Sequence, residues 1–247
     1  MTIDLNADLG EGAAHDNELL ALVSSASIAC GFHAGSAIMM RESLLAARER
    51  NVAVGAHPSF DDWQNFGREE VAVSHDEIFA LVAYQIGAFG ALAKSVGLRA
   101  QHVKPHGALY NMAARDEAIA DAIVQAVHSV DPQLIVFAPD ASALSRAAEA
   151  QELRVAREVF ADRNYMPDGS LVPRSHPEAL LHDPAAAADR VFRMLREQKV
   201  RALDGNDIAV RAETICVHGD TPGAVEFARE LRLALHQSGI VMAAVGG

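Results

Sequence analysis

Short runs rich in β-branched and apolar residues alternate with longer stretches of helical spacing from one end of the chain to the other. The runs that read as strands are Thr2–Asn6, Ala26–Cys30, Val52–His57, Gln101–Lys104, Leu134–Ala138, Ala156–Ala161 and Glu213–His218. The clearest helix covers Ser74–Val96, where Ile78, Val82, Ile86, Phe89, Ala93 and Val96 recur at helical spacing and make one apolar stripe. It opens on Ser74-His75-Asp76-Glu77, a capping box in which Ser and Glu satisfy free backbone amides reciprocally. Asp183-Pro184 and Thr221-Pro222 place a capping side chain before a proline and predict two further helix starts. Gly97 and Gly239 predict two helix ends.

Seven such strands give about 35 residues per unit, enough for a strand and a return helix. Strands joined by helices run parallel, because a parallel neighbour needs a long crossover. The sheet then closes into a barrel or stays open and doubly wound. Seven units end to end, with no glycine-rich dinucleotide fingerprint after the first strand, favour an α/β fold built on a seven-stranded parallel (β/α) barrel. No linker or repeat divides it, so residues 1–247 are expected to form one barrel domain. One stretch is irregular. Arg163–Pro177 carries Pro167, Gly169, Pro173 and Pro177 and is too long for an ordinary connection, which suggests a lid or binding loop.

The residues after the strands are unusual in chemistry. Asn6, Asp8 and Glu11 follow the first, Cys30 and His33 the second, His57 the third, and Lys104 and His106 the fourth. Asp140 follows the fifth, Asp162 and Arg163 the sixth, and His218 and Asp220 the seventh. In a parallel barrel these ends open onto one face, the face that carries active sites. Individually they have plainer readings: Asp140 suits a helix cap, Cys30 and Cys216 suit small buried apolar positions, and Met39-Met40 suits core. Their convergence on one strand end is what points to function. Asp8, His33 and His57 are a candidate divalent-metal set, since carboxylate and neutral imidazole suit zinc-like ions. Without a metal, Asp8 or Glu11 is a candidate general base towards water, and Lys104, Arg163 and turn amides are candidates to hold an anion. Neither common phosphate-cradle motif nor a serine-hydrolase elbow is present in the sequence.

Composition narrows the class. The 247 residues are 50% hydrophobic and 22% charged, enough apolar material for a large core. A formal charge of -12 argues against nucleic acid as a partner. No uninterrupted apolar run reaches the roughly 20 residues that cross a bilayer, and the first residues lack a signal-like pattern, so no membrane partner is expected. With only 2 cysteines, far apart, a cytoplasmic location is expected.

The motifs themselves resemble a known family. Asp4–Gly12, Ala29–Gly35, Gly55–Pro58 followed by Phe66-Gly67-Arg68, Val103–Asn111, Glu158–Tyr165, Gly169–Arg174 and Cys216–Val225 are similar to the LamB/YcsF family, from residue 4 to about residue 236. The resemblance implies a seven-stranded barrel of the glycoside hydrolase/deacetylase superfamily. It also implies the activity of the A component of an ATP-dependent 5-oxoprolinase. That enzyme opens the lactam of 5-oxo-L-proline to L-glutamate, with ATP as co-substrate and subunits B and C as partners. On that basis Asp8 or Glu11 would activate a nucleophile while Lys104 and His106 stabilise developing negative charge. Asn6, His33, His57, Arg163, His218 and Asp220 would bind substrate, with Arg163 or Lys104 meeting its carboxylate. The alternative is a metal-dependent amide or carbohydrate deacetylase using Asp8, His33 and His57. The sequence departs from the family pattern at Ala7, usually Cys, at Ser27, usually Asn, at Ser36, usually Asp, and over residues 59–65. Ser36 retains helix-capping ability.

Overall fold

A computed structural model describes residues 1–219 and 223–246. Seven parallel strands close into a barrel: β1 (Thr2–Leu9), β2 (Ser25–Ala29), β3 (Ala53–His57), β4 (Ala100–Val103), β5 (Ile135–Pro139), β6 (Val155–Phe160) and, after two short strands described below, β9 (Thr214–Val217). Pairing of β9 with both β6 and β1 makes the closure. The expected barrel is therefore the fold, and the open sheet is excluded. Helices α1 (Asp16–Leu20), α2 (Ala37–Arg50), α3 (His75–Ser95), α4 (Gly107–Arg115), α5 (Glu117–Val130), α6 (Ala143–Ala150), α7 (Pro184–Glu197) and α8 (Ala224–Gln237) cover its outside.

Local chemistry sets the helix starts. Ser74 and Glu77 form the capping box of α3. Asp183 accepts from Ala185 N–H ahead of Pro184, and Ser36 accepts from Met39 N–H at the start of α2. Gly97 and Gly239, both at positive φ, follow α3 and α8 as expected. The Thr221-Pro222 start lies outside the described residues. By length and composition α3 would cross a bilayer, with 21 residues and a mean hydropathy of 1.4 in its most apolar window. Here its stripe of Ile78, Val82, Ile86, Phe89 and Ala93 is buried, and it packs on β3, β4 and α5.

The strand register decides which side chains enter the barrel. Paired residues of neighbouring strands share a face, and alternate residues along a strand change face. Asn6 pairs with Ser25, Asp8 with Ser27, Ser27 with Gly55, and Gly55 with His102. Pro139 pairs with Glu158, Glu158 with Thr214, and Thr214 with Asp4. Asp4, Asn6, Asp8, His57, His102, Glu158, Thr214 and Cys216 thus share the inner face. Leu5, Ala7, Leu9 and Ile28 point outward into the apolar layer under the helices. The strand β1 continues to Leu9 rather than ending at Asn6, so Asp8 stands in the wall and not after it.

The far end of the barrel is plugged by Val245, packed with Ile135, Phe137 and Ala156, on a tail that follows β10 (Val241–Met242) paired to the start of β1. Strands β7 (Lys199–Arg201) and β8 (Asp207–Ala209) form a separate antiparallel pair between α7 and β9, absent from the sequence reading. The irregular stretch extends from Arg163 to Asp183 as a strap pinned by bridges Arg163–Leu180, Tyr165–Leu171 and Tyr165–Ala202. Asp140 lies outside the site cluster, where it pairs with Arg211 at 2.8 Å and Arg157 at 3.3 Å.

Gly55 makes room for the His102 ring, which stacks on Phe137 at 4.1 Å and shares a 3.2 Å hydrogen bond with Ser27. A Cβ at Gly55 would lie 2.2 Å from His102 Cδ2. Gly55→Ala should destabilise the fold by about 1–3 kcal/mol, the usual range for overpacking. Urea unfolding checks this, and in Gly55→Ala/His102→Ala the two effects should be markedly non-additive.

Candidate active site

Lys104 carries its charge deep inside the barrel, 2% exposed. Its ammonium lies 2.9 Å from Asp8 Oδ1, 2.8 Å from Glu158 Oε1 and 3.1 Å from Cys216 Sγ, and reaches Asn6 Oδ1 at 3.4 Å. Asn6 in turn donates to Glu158 Oε1 and Thr214 Oγ1 at 3.1 and 2.7 Å, and Tyr110 donates to Glu158 Oε2 at 2.7 Å. Burial pushes the Lys104 pKa down, but Asp8, Cys216 and Glu158 outweigh it and hold the ammonium charged. Burial likewise pushes Asp8 up, and His57 with Lys104 reverses this, so the carboxylate lies well below its usual range.

Above this network, towards the strand ends, three imidazoles and one carboxylate converge. His33 and His106 stack face to face at 3.8 Å, and His57 meets both edge-on. The outer partner of each ring fixes its tautomer. His57 Nδ1 is 2.7 Å from the Lys104 carbonyl, an acceptor only, so Nδ1 carries a proton, and Nε2 turns into the site 3.4 Å from Asp8 Oδ2. His106 Nε2 is 2.9 Å from the Phe66 carbonyl, so its Nδ1 is bare. Ser59 Oγ donates to the Phe60 carbonyl at 3.0 Å and so accepts from His33 Nδ1 at 2.8 Å, which leaves His33 Nε2 bare.

These inward nitrogens face one another. His57 Nε2 and His106 Nδ1 are 2.9 Å apart, and His33 Nε2 is 3.1 Å from Glu11 Oε1. Glu11 Oε1 lies a further 3.5 Å from His106 Nδ1 and 4.0 Å from His57 Nε2. Burial, with charge–charge coupling to the other imidazoles, holds His33 down to about 2 and His106 well below the usual histidine range. Ring nitrogens turned on each other and on a carboxylate must share a proton or a metal cation. A tetrahedral zinc with bonds near 2.0–2.1 Å separates its ligand atoms by roughly 3.3 Å, within the span found here. The donor set fits a divalent metal ion.

The residues that position this set are local. Phe66 adopts a φ of 55°, a left-handed conformation that costs about 1–3 kcal/mol in a non-glycine residue. In that conformation its carbonyl meets His106 and its ring packs edge-on to His33 and His106. Gly67, at φ 62°, follows because a Cβ there would come within 2.9 Å of His33 Cβ.

On the opposite side of Asp8 stands His218, whose Nδ1 donates to Asp162 Oδ2 at 2.8 Å and whose ring stacks on Phe160. Its ligand-capable atom lies within 4.8 Å of those of Asp8 and Cys216. Burial raises Asp162, and His218 and Arg163 more than offset it, so Asp162 stays ionised. A cleft of ≈ 110 Å³, lined by Asp162, Leu181, His182, His218, Ala224 and Phe227, opens beside this pair.

The expected constellation is thus brought together, with two changes. The candidate metal set is Glu11, His33, His57 and His106. Asp8, expected within it, does lie 3.4 Å from His57 Nε2 but is also engaged by Lys104 and groups with Cys216 and His218. Arg163, expected at the substrate carboxylate, donates to the carbonyls of Val172 at 2.6 Å and Ala179 at 3.4 Å and so ties down the strap. Asp220 lies outside the described residues. Glu158, Tyr110 and the pairing role of Asp162 were not singled out from the sequence. Cys30 and Cys216 are buried with raised thiol pKa values, Cys30 at about 12, which fits structural rather than nucleophilic thiols.

Residues 3–247 match the LamB/YcsF family. The chain belongs to that family. Among solved structures, this LamB/YcsF chain is similar to a lactam utilization protein from Thermus thermophilus, with 46% identity and a TM-score of 0.91 over 99% of this chain and 100% of that one. It shares its fold with a family 4 carbohydrate esterase from Streptomyces lividans, at 9% identity and a TM-score of 0.54 over 99% and 93% of the two chains. A T48 deacetylase solved with substrate is similar at 15% identity and a TM-score of 0.52, over 99% and 88%. The deacetylase-type barrel implied by the motifs is therefore the fold.

Zinc, added to metal-stripped protein, should raise the melting temperature. Saturation at 100 times Kd corresponds to about 2.7 kcal/mol of added stability. His57→Ala and His106→Ala should each abolish most of that shift in a thermal melt, and stoichiometric zinc should disappear with it in elemental analysis.

Proposed function

We propose that this chain opens a cyclic amide. At the finer level we propose that it acts in the cytoplasm as the A component of an ATP-dependent 5-oxoprolinase, converting 5-oxo-L-proline to L-glutamate with subunits B and C. The observation that carries the reading is the convergence of Glu11, His33, His57 and His106, ring nitrogens inward, beside ionised Asp8 and the His218–Asp162 pair. Its likeness to a protein described as a lactam utilization protein supports the substrate class.

An amide carbon is a weak electrophile and its nitrogen a poor leaving group, so ring opening needs an activated water, a polarised carbonyl and a proton for nitrogen. Asp8, held ionised by its neighbours, takes the proton from water. His218 is oriented by Asp162 through Nδ1, so its Nε2, once protonated, can deliver that proton to the departing nitrogen. Lys104 is enclosed by two carboxylates and positions Asp8 rather than touching substrate. A divalent ion held by Glu11, His33, His57 and His106 would supply polarisation of the carbonyl and a more acidic water.

ATP coupling has a direct chemical purpose. Transfer of the γ-phosphoryl group to the lactam oxygen releases ADP and leaves a carbon that water attacks readily. Water adds, the ring C–N bond breaks with a proton to nitrogen, and a glutamyl phosphate remains. A second water releases phosphate and leaves glutamate.

The facing nitrogens of His57 and His106 favour a second reading, metal-dependent amide hydrolysis without ATP, as in a deacetylase. Glutamate release from 5-oxoproline by the chain with its partner subunits separates them. Release that requires ATP supports the first reading; ATP-free release by the chain alone, stopped by a chelator, supports the second. Absence of release under both conditions rejects both. In the active system His218→Asn should lower kcat by about 10²–10⁴-fold, the usual worth of a general acid or base, with an unchanged melting temperature. Turnover at the wild-type rate would remove His218 from the mechanism.

A further inference from the structure

Among the buried residues of α3 only Gln85 is polar. It is 0% exposed and stands at helical spacing from Ile78, Val82 and Phe89, where an aliphatic side chain would pack without the cost of burying an amide. That amide is fully engaged. Oε1 accepts from Ser59 N–H at 3.0 Å, and Nε2 donates to the Ser59 and Leu81 carbonyls at 2.8 and 3.1 Å. Turned over, it would set its NH2 against the Ser59 N–H and its oxygen against two carbonyls, so these contacts fix its orientation.

Ser59 lies two residues beyond the end of β3. Gln85 supplies there the two hydrogen bonds that a neighbouring strand would have given its backbone. The segment held in this way, His57-Pro58-Ser59, touches all three imidazoles of the cluster. His57 belongs to it. The Pro58 carbonyl accepts from the backbone N–H of His106 at 2.8 Å, and Ser59 Oγ accepts from His33 Nδ1 at 2.8 Å. Three candidate ligands from the ends of the adjacent strands β2, β3 and β4 are thus tied together at one segment, and a helix outside the barrel holds that segment.

We propose that Gln85 is a positioning residue for the metal site: by holding Ser59 at two points it sets the separations at which His33, His57 and His106 meet a divalent ion. The proposal rests on the metal reading of this cluster. Gln85 acts through Ser59 and Pro58 and needs no contact with the ion. An ion with bonds of about 2.0–2.1 Å penalises small errors in ligand position, and losing an outer partner of a metal-bound imidazole typically costs about 10- to 100-fold in affinity. An apolar side chain at position 85 would leave the Ser59 N–H and carbonyl buried and unpaired, and the segment would shift to satisfy them.

The test uses the full chain, stripped of metal and titrated with zinc against a chromophoric chelator. Gln85→Met keeps the length of the side chain and removes its hydrogen bonds; it should weaken zinc by roughly 10- to 100-fold. Gln85→Asn keeps an amide but is one methylene short, and its loss should fall between wild type and Gln85→Met. Ser59→Ala should weaken zinc as well. Combined with Gln85→Met it should lose less than the product of the two separate losses, because both act through one residue. Co2+ bound in place of zinc reports ligand geometry through its visible absorption, which should change in Gln85→Met. Val82→Ala is the control for stability alone. Val82 is buried on the same face of α3, so its truncation lowers the melting temperature through a cavity. It should leave both the zinc affinity and the Co2+ spectrum near wild type.

Zinc affinity of Gln85→Met within about twofold of wild type, with an unchanged Co2+ spectrum, would overturn the assignment. An equal loss in Val82→Ala would also overturn it, in favour of a general effect of stability. If Gln85→Met does not fold, Gln85→Asn decides alone: a loss beyond about twofold upholds the assignment and a smaller one rejects it. A wild-type chain that binds no zinc sinks the metal reading and this assignment together, whereas equal zinc binding by wild type and both Gln85 variants sinks the assignment alone.

Discussion

The ammonium of Lys104, held between Asp8 and Glu158 inside a closed barrel, is the interaction on which the rest of the site depends. A charge removed from water must be paired or it forces the chain to rearrange, and breaking such a pair costs about 3–5 kcal/mol. Here the pairing draws together β1, β6 and the end of β4, while Asn6 and Thr214 extend it to β9 and Asp4. A register slip of one residue on β1 would turn Asp4, Asn6 and Asp8 into the apolar layer and Leu5, Ala7 and Leu9 into the polar one. The buried ions therefore act chiefly as a specification of register.

That specification positions the chemistry. The strand segment that ends in Lys104 also presents its carbonyl to His57, so one residue both neutralises Asp8 and sets the tautomer of an imidazole. Pro58 and Phe66 fix His106 through its backbone amide and its ring, and Gly67 accepts from the next amide but one, Ala108 N–H. Strain at Phe66 is the cost of aiming that carbonyl, and it is retained where a loop must meet a strand end within one hydrogen bond. The donor cluster follows from backbone contacts, which is why its atoms converge even though its four residues come from four different loops or strands.

The parallel barrel was legible because each strand is a compact apolar run bounded by turn residues and each return segment carries helical spacing. The convergence of Glu11, His33, His57, His106 and His218 was legible for the same reason, since strand ends in such a barrel share a face. What was not legible was depth. In Thr2–Leu9 the alternation of Ile3, Leu5, Ala7 and Leu9 with Asp4, Asn6 and Asp8 runs past Asn6, and it marks Asp8 as a wall residue. Glu158 carries a weaker sign of the same kind, a carboxylate inside a strand at the parity of Ala156 and Phe160. The partners themselves are remote: Lys104 and Asp8 are 96 residues apart and Asn6 and Thr214 are 208 apart, distances over which periodicity says nothing. The β7–β8 pair escaped because its three-residue strands are mostly exposed and have no apolar run to announce them.

The order of groups along the barrel axis follows from solvation alone. Full charges can lie deepest only where each meets its opposite, and Lys104 with Asp8 and Glu158 occupies that level. Neutral imidazoles tolerate burial without a counter-charge, so His33 and His106 can line the next level. The strap beside them is fixed by Arg163, whose guanidinium is covered by carbonyls and contributes shape. Groups that must recognise a charged molecule need access to water before it arrives, which confines them to the rim.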